Sequence, residues 1–138
     1  MGMNQLPRIA VGTVQSDADP QVMIWALISA LERGGLHVQA FSSQSRFPTR
    51  DASMPLTGQG LRHLDSWLMQ PDVCAQLFYN AARFADVGLV EGQYDDPTCQ
   101  GQSGGSLNTL CSWLDLPRLV VVDAARLVAC RPPVLPSG

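Results

Sequence analysis

The side chains best suited to chemistry in this sequence are carboxylates. Asp17 and Asp19 follow a Gly12-Thr13 turn, Asp65 lies in the segment LDSW, Glu91 in VEG, Asp95 and Asp96 in a glycine-rich stretch, and Asp123 closes VVVD. Acids at the ends of apolar runs can hold a divalent or organic cation, or cap helices. The nine basic residues are all Arg, so a lysine Schiff base and a lysine ammonium on a phosphate are both excluded. Cys74, Cys99, Cys111 and Cys130 include no CxxC pair. Cys74 and Cys111 sit among apolar residues at helical spacing and read as buried packing. His37 and His63 lack a neighbouring ligand at a metal-binding interval and read the same way, although Asp65 two residues beyond His63 keeps a small claim to function.

A length of 138 residues fits one domain, and a 46% hydrophobic share is enough to build its core. The net charge of −3 argues against a nucleic acid, whose phosphates need a basic face. Apolar runs fall short of the roughly 20 residues of a membrane span. No secretory-type segment precedes the cysteines, which points to a reducing cytoplasm.

Residues 8–14 form a β-branched run that predicts a buried strand ending in a turn. Asp19-Pro20 predicts a helix start, and residues 22–31 are so continuously apolar that a central, well-covered helix is expected, closed by Gly34-Gly35. Alternation over 36–41 predicts a second strand, completing a right-handed β-α-β unit. Residues 42–60 show no period and read as a long loop. Pro71 opens a helix with the stripe Val73, Cys74, Leu77, Phe78, Ala81 and Phe84. A strand over 86–92, a polar loop over 93–105, a helix capped by Ser106 and ended by Pro117, and a strand over 118–124 follow. Four buried strands alternating with helices specify a mostly parallel sheet covered on both faces, a three-layer α/β domain over 1–128 with a proline-rich tail over 129–138. Ligands of such sheets gather beyond the strands' carboxyl ends, here the loops 12–20, 42–60 and 92–105.

This order of motifs resembles the ATP-binding domain of cobyrinic acid a,c-diamide synthase, a P-loop amide ligase of cobalamin biosynthesis. The likeness runs over residues 8–124 and is most specific in Leu64-Asp65-Ser66-Trp67-Leu68-Met69, Val90-Glu91-Gly92 and Leu116 to Ala124. It covers the first part of that domain; the family's glutamine amidotransferase domain has no counterpart. It implies a P-loop NTPase-like fold and makes Glu91 similar to the family's magnesium-associated acid.

The family's loop, of the type GTxSGVGKTT, binds phosphates through backbone N–H groups and a Lys, and Mg²⁺ through a Thr. The matching interval here runs from Gly12 and Thr13 to Gln21. Ser16 and Ala18 stand at the glycines, Asp17 lies between them, Asp19 stands at the Lys and Pro20 at the magnesium-binding Thr. Reversing one charge about 4 Å from a phosphate shifts the interaction by several kcal/mol at an effective dielectric near 20. The interval is therefore expected to be a degenerate phosphate loop. Phe41 to Pro48 likewise lacks the Lys and acids of the family's FKVGPDYIDP.

No catalytic residue, metal site or cofactor is expected, and the chain reads as a nucleotide-dead scaffold, regulatory protein or homodimer with an unassigned small-molecule ligand. ATP and Mg²⁺ enter under the alternative of an amidoligase component acting on a corrinoid carboxylate, completed by another chain; Arg46, Arg50 or Arg62 could approach phosphates within the chain, but an Arg outside the loop does not restore its glycine-built nest. A third reading gathers Asp17, Asp19, Asp65, Glu91, Asp95 and Asp96 into an acidic mouth for a cationic or neutral ligand. The retained acids Asp65, Glu91 and Asp123 also have a structural reading, as a helix cap, a sheet-end residue bonded to loop N–H groups, and the last residue of a strand.

Overall fold

A computed structural model describes residues 6–45, 51–95 and 104–129. Five strands form one all-parallel sheet in the order β3-β2-β4-β1-β5. These are β1 (Arg8–Thr13), β2 (Val38–Ser42), β3 (Arg62–His63), β4 (Val87–Gln93) and β5 (Arg118–Val120). The helices are α1 (Gln21–Arg33), α2 (Ser53–Thr57), α3 (Pro71–Ala82), α4 (Leu107–Leu114) and α5 (Ala124–Ala129). The expected three-layer α/β architecture is present. Ile24 and Ile28 of α1 pack on Val11, Val38, Ala40 and Leu89, with Leu56 of α2 beside them. On the opposite face α3 and α4 bury Cys74, Phe78, Leu107, Leu110 and Leu114 against Ala10, Phe41 and Val90.

Strand alternation explains the division. Odd residues of β1 and β4 and even residues of β2 face α1, and their neighbours face α3 and α4. Phe78 stacks on Phe41 with ring centroids 4.8 Å apart. It also lies over Gly88, where a Cβ would come within 2.5 Å of the ring. A strand glycine here lets α3 approach the sheet closely.

The structure corrects several expectations. Helix α1 is not covered all round: Ile24 and Ile28 are buried, but Val22 and Met23 are 68% and 60% exposed. Residues 42–60 are not simply a loop, since they contain α2. A fifth strand, β3, adds to the four expected. The buried face of α3 is Cys74, Phe78 and Ala82, spaced by four, whereas Val73, Leu77 and Phe84 are exposed. The last strand stops at Val120 rather than reaching residue 124, and Ala124 begins α5. Its residues Arg118 and Leu119 are exposed, so among the described residues β5 is an exposed edge rather than a buried strand.

Helix α4 follows the expected plan, with the Ser106 hydroxyl accepting from Thr109 N–H and Asp115 ending the helix at φ 51°. No helix among the described residues is long and apolar enough to cross a membrane. Cys99, Cys130, Arg46, Arg50, Asp96 and the tail over 130–138 lie outside the described residues.

Candidate functional site

The carboxyl ends of β1, β2, β3 and β4 bring the candidate residues into three groups. The first is the loop between β1 and α1. Gly12 and Thr13 are both buried at the end of β1, and Gly12 allows close packing: a Cβ there would collide with the Gly92 carbonyl and Leu107. Thr13 Oγ1 accepts from Gln15 N–H at 3.1 Å, and Gln15 carbonyl accepts from Ala18 N–H at 3.1 Å. The Ser16 hydroxyl donates to Asp17 at 3.3 Å. Asp19 Oδ1 accepts from Gln21 N–H at 3.0 Å, just before α1, with Pro20 at the cap position. The helix therefore starts one residue later than expected: Pro20 takes the cap position, makes no side-chain cap bond, and Asp19 lies just outside it.

This loop is fastened to the start of α5. The Gln15 side chain accepts from Asp123 N–H at 2.7 Å and donates to the Asp123 carbonyl at 3.3 Å. Asp123 Oδ1 accepts from Ala125 and Arg126 N–H groups, so Asp123 is the cap of α5 and not the end of a strand. Arg126 pairs with Asp123 at 3.2 Å and with Asp17 at 3.6 Å. Sequence reading found no basic residue within the first loop; the fold supplies Arg126 from more than a hundred positions away.

The second group surrounds Glu91. Register puts His63, Ser42 and Glu91 in one row across β3, β2 and β4, on the face toward α1. Glu91 Oε2 accepts from the Gln21 side-chain amide at 3.2 Å. Its partner is therefore a side chain of α1, not the loop N–H groups expected. Burial pushes the Glu91 carboxyl up from the ordinary range, the Gln21 hydrogen bond pulls it down, Asp51 raises it and His63 lowers it. His63 Nδ1 lies 3.1 Å from the Gln44 carbonyl, which also accepts from the Ser42 hydroxyl at 3.1 Å. A carbonyl only accepts, so His63 Nδ1 carries the hydrogen.

The third group is centred on Asp65, which is buried. It accepts from Ser45 N–H at 2.9 Å and Trp67 N–H at 3.0 Å, tying the end of β2 to the turn before α3. Gly105 packs against this carboxylate and the Ser43 carbonyl, with no room for a side chain. Asp95 accepts from the Ser106 hydroxyl at 2.8 Å. His37 does not pack in the interior as expected: its side chain is 75% exposed, 3.6 Å from Glu32. Cys74 and Cys111 are buried free thiols. Among the described residues no group of three or more His, Cys, Asp or Glu could hold a metal ion.

Gln15, Gln21, Ser42 and Arg126 are the site residues that sequence reading missed. Each gains its place from a strand register or a long-range contact, and none carries a local pattern.

The five-stranded parallel sheet with helices on both faces is consistent with the P-loop NTPase-like fold. Comparison with curated proteins is more specific. The chain is 27% identical over 121 residues to cobyrinate a,c-diamide synthase of Leptospira interrogans, 86% of this chain and 27% of that protein. It is 29% identical over 120 residues to the enzyme of that name from Syntrophotalea carbinolica, 86% of this chain and 26% of that protein. It is 27% identical over 123 residues to hydrogenobyrinate a,c-diamide synthase of Streptomyces coelicolor, 87% of this chain and 25% of that protein. The chain is a relative of these a,c-diamide synthases and spans about a quarter of their length. No family model matches it, and no solved structure gives a significant match.

Proposed function

We propose that this chain is a relative of the cobyrinate a,c-diamide synthases whose first loop no longer binds a nucleotide, and that it acts as a scaffold or regulatory partner through its surfaces. The observation that carries the reading is the Asp19 carboxylate at the N-terminus of α1, accepting from Gln21 N–H at 3.0 Å. A helix N-terminus attracts anions through its exposed N–H groups. Here a fixed carboxylate occupies one of those donors and repels an incoming polyphosphate. The loop N–H groups of Gln15 and Ala18 also have acceptors within the chain. The donor set thus does not fit a polyphosphate, and no catalytic step is assigned to one.

Titration calorimetry with ATP and a non-hydrolysable analogue, with and without Mg²⁺ at low salt, tests this. The expected result is no heat at millimolar ligand. Saturable, magnesium-dependent binding tighter than about 100 μM, or roughly −5.5 kcal/mol, overturns it.

A second reading is favoured by one observation. Glu91 stands near the end of β4 against the first residue of α1, as the family's magnesium-associated acid would. On that reading the chain is part of an ATP-dependent amidoligase acting on a corrinoid carboxylate, with another chain supplying the missing cation. The acidic mouth finds less support, because Asp17 pairs with Arg126 while Asp19 and Asp65 are occupied by N–H groups.

A further inference from the structure

We propose that the stretch from Val121 through Arg126 is a strap that holds the first loop closed, so that the loop opens only when α5 lifts from it. Three contacts carry the strap. Val121 N–H donates to the Gly12 carbonyl at 2.7 Å, which continues the β5 ladder one residue past the strand. The Gln15 amide engages both backbone groups of Asp123, in the way a neighbouring strand would. Arg126 then bridges Asp123, which caps its own helix, to Asp17 at the far side of the loop.

These contacts share residues, so they are coupled. Asp123 holds Gln15 with its backbone, the first turn of α5 with one carboxylate oxygen and Arg126 with the other. Lifting α5 together with Asp123 breaks the Arg126–Asp17 bridge and leaves Gln15 without its partner. Loosening the loop at Gln15 or Asp17 frees α5 in turn, because coupling between two sites is reciprocal. The rest of the site is not part of this unit: Glu91 is held through Gln21 and Asp65 through Ser45 and Trp67. The strap deepens the nucleotide-silent reading, since it is what the loop is organised around instead of a phosphate.

Hydrogen exchange read by mass spectrometry tests the strap on Gln15→Leu, Arg126→Ala and the double variant. In the double variant, exchange of loop amides over 15–18 and of α5 amides over 125–128 should both rise by about tenfold or more, with β4 unchanged. No rise in the loop overturns the proposal, as does a rise in the loop without one in α5. Should the double variant fail to fold, Asp17→Asn gives the same readout at an exposed position, with a smaller rise expected in both segments and none overturning the strap. No nucleotide enters this experiment, so the strap can fail while the nucleotide-silent loop stands, and ATP titration can fail while the strap stands.

Discussion

Gln15 and Asp123, 108 positions apart, meet as two amides would in adjacent strands: the side chain of one reads both the N–H and the C=O of the other. A primary amide has the same donor and acceptor as a peptide group, so Gln is suited to this place and no isosteric acid is.

Replacing Gln15 by Glu keeps the acceptor for Asp123 N–H but aims a carboxylate oxygen at the Asp123 carbonyl. The expected loss is about 1–3 kcal/mol, the cost of an unsatisfied, repelled acceptor pair. Urea denaturation measures it, and a midpoint equal to that of the unaltered chain would show that the bridge contributes nothing.

At Gly88 a methyl group would come within 2.5 Å of the Phe78 ring. Gly88→Ala should therefore cost about 1–3 kcal/mol through overpacking. Phe78→Leu, which shortens the obstructing side chain, should recover part of that loss when combined with Gly88→Ala. Thermal melts of the two singles and the double give the coupling, and simple additivity would place the strain elsewhere.

Asp19→Ala removes the acceptor for Gln21 N–H and should lower stability by about 0.5–1.5 kcal/mol. Asp19→Asn retains an acceptor and should lose less. A chemical denaturation series ranks the three, and equal stability of Ala and Asn would show that the Asp19–Gln21 bond contributes nothing.

Glu91 gives a pH signature. Its folded-state pKa is raised by burial, so the native state holds the proton more tightly than the unfolded chain does. Stability from this group is therefore greatest at low pH and falls as pH rises from the ordinary glutamate range through the raised value. Glu91→Gln keeps an acceptor for the Gln21 amide and should flatten that fall, making the variant relatively more stable at pH 8 than at pH 4. Parallel denaturation at the two pH values checks this, and an unchanged difference would remove Glu91 as its source.

Burial also pushes the Cys74 and Cys111 thiols up, disfavouring the reactive thiolate. Both should resist alkylation at pH 8 until denaturant unfolds the chain, with peptide mapping to separate them from the other two cysteines. Rapid native labelling of Cys74 would contradict its place on the buried face of α3.

The sequence carried the regular elements and little of what joins them. Ser106 and Pro117 bracket α4 because a cap and a breaker are local signals, and its four apolar positions fall on the buried face. Arg62–His63 is too short to display a period, so β3 is visible only through its pairing with Phe41 and Ser42. The run of valines through Val122 resembles a strand, but beyond Val120 the ladder with β1 goes on only through the Val121 N–H bond to the Gly12 carbonyl, and Asp123 turns the chain into α5. The acids Asp65, Glu91 and Asp123 were found as singular residues. Their partners Ser45, Gln21 and Gln15 are ordinary polar residues that only the register and loops bring near. Val22 and Met23 misled in the other direction, since apolar character alone does not say whether a neighbour will cover it.

The strand order has a consequence for how the protein is made. β4 lies between β2 and β1 and is the partner both use, while β1 and β2 do not pair with each other. A nascent chain therefore has no site for its first strand until residues 87–93 have left the ribosome. Until then β1 waits unpaired and β2 has only the two residues of β3 beside it, the state in which long-range parallel sheets are slowest to form and most prone to aggregate. β4 is the piece on whose arrival the sheet assembles.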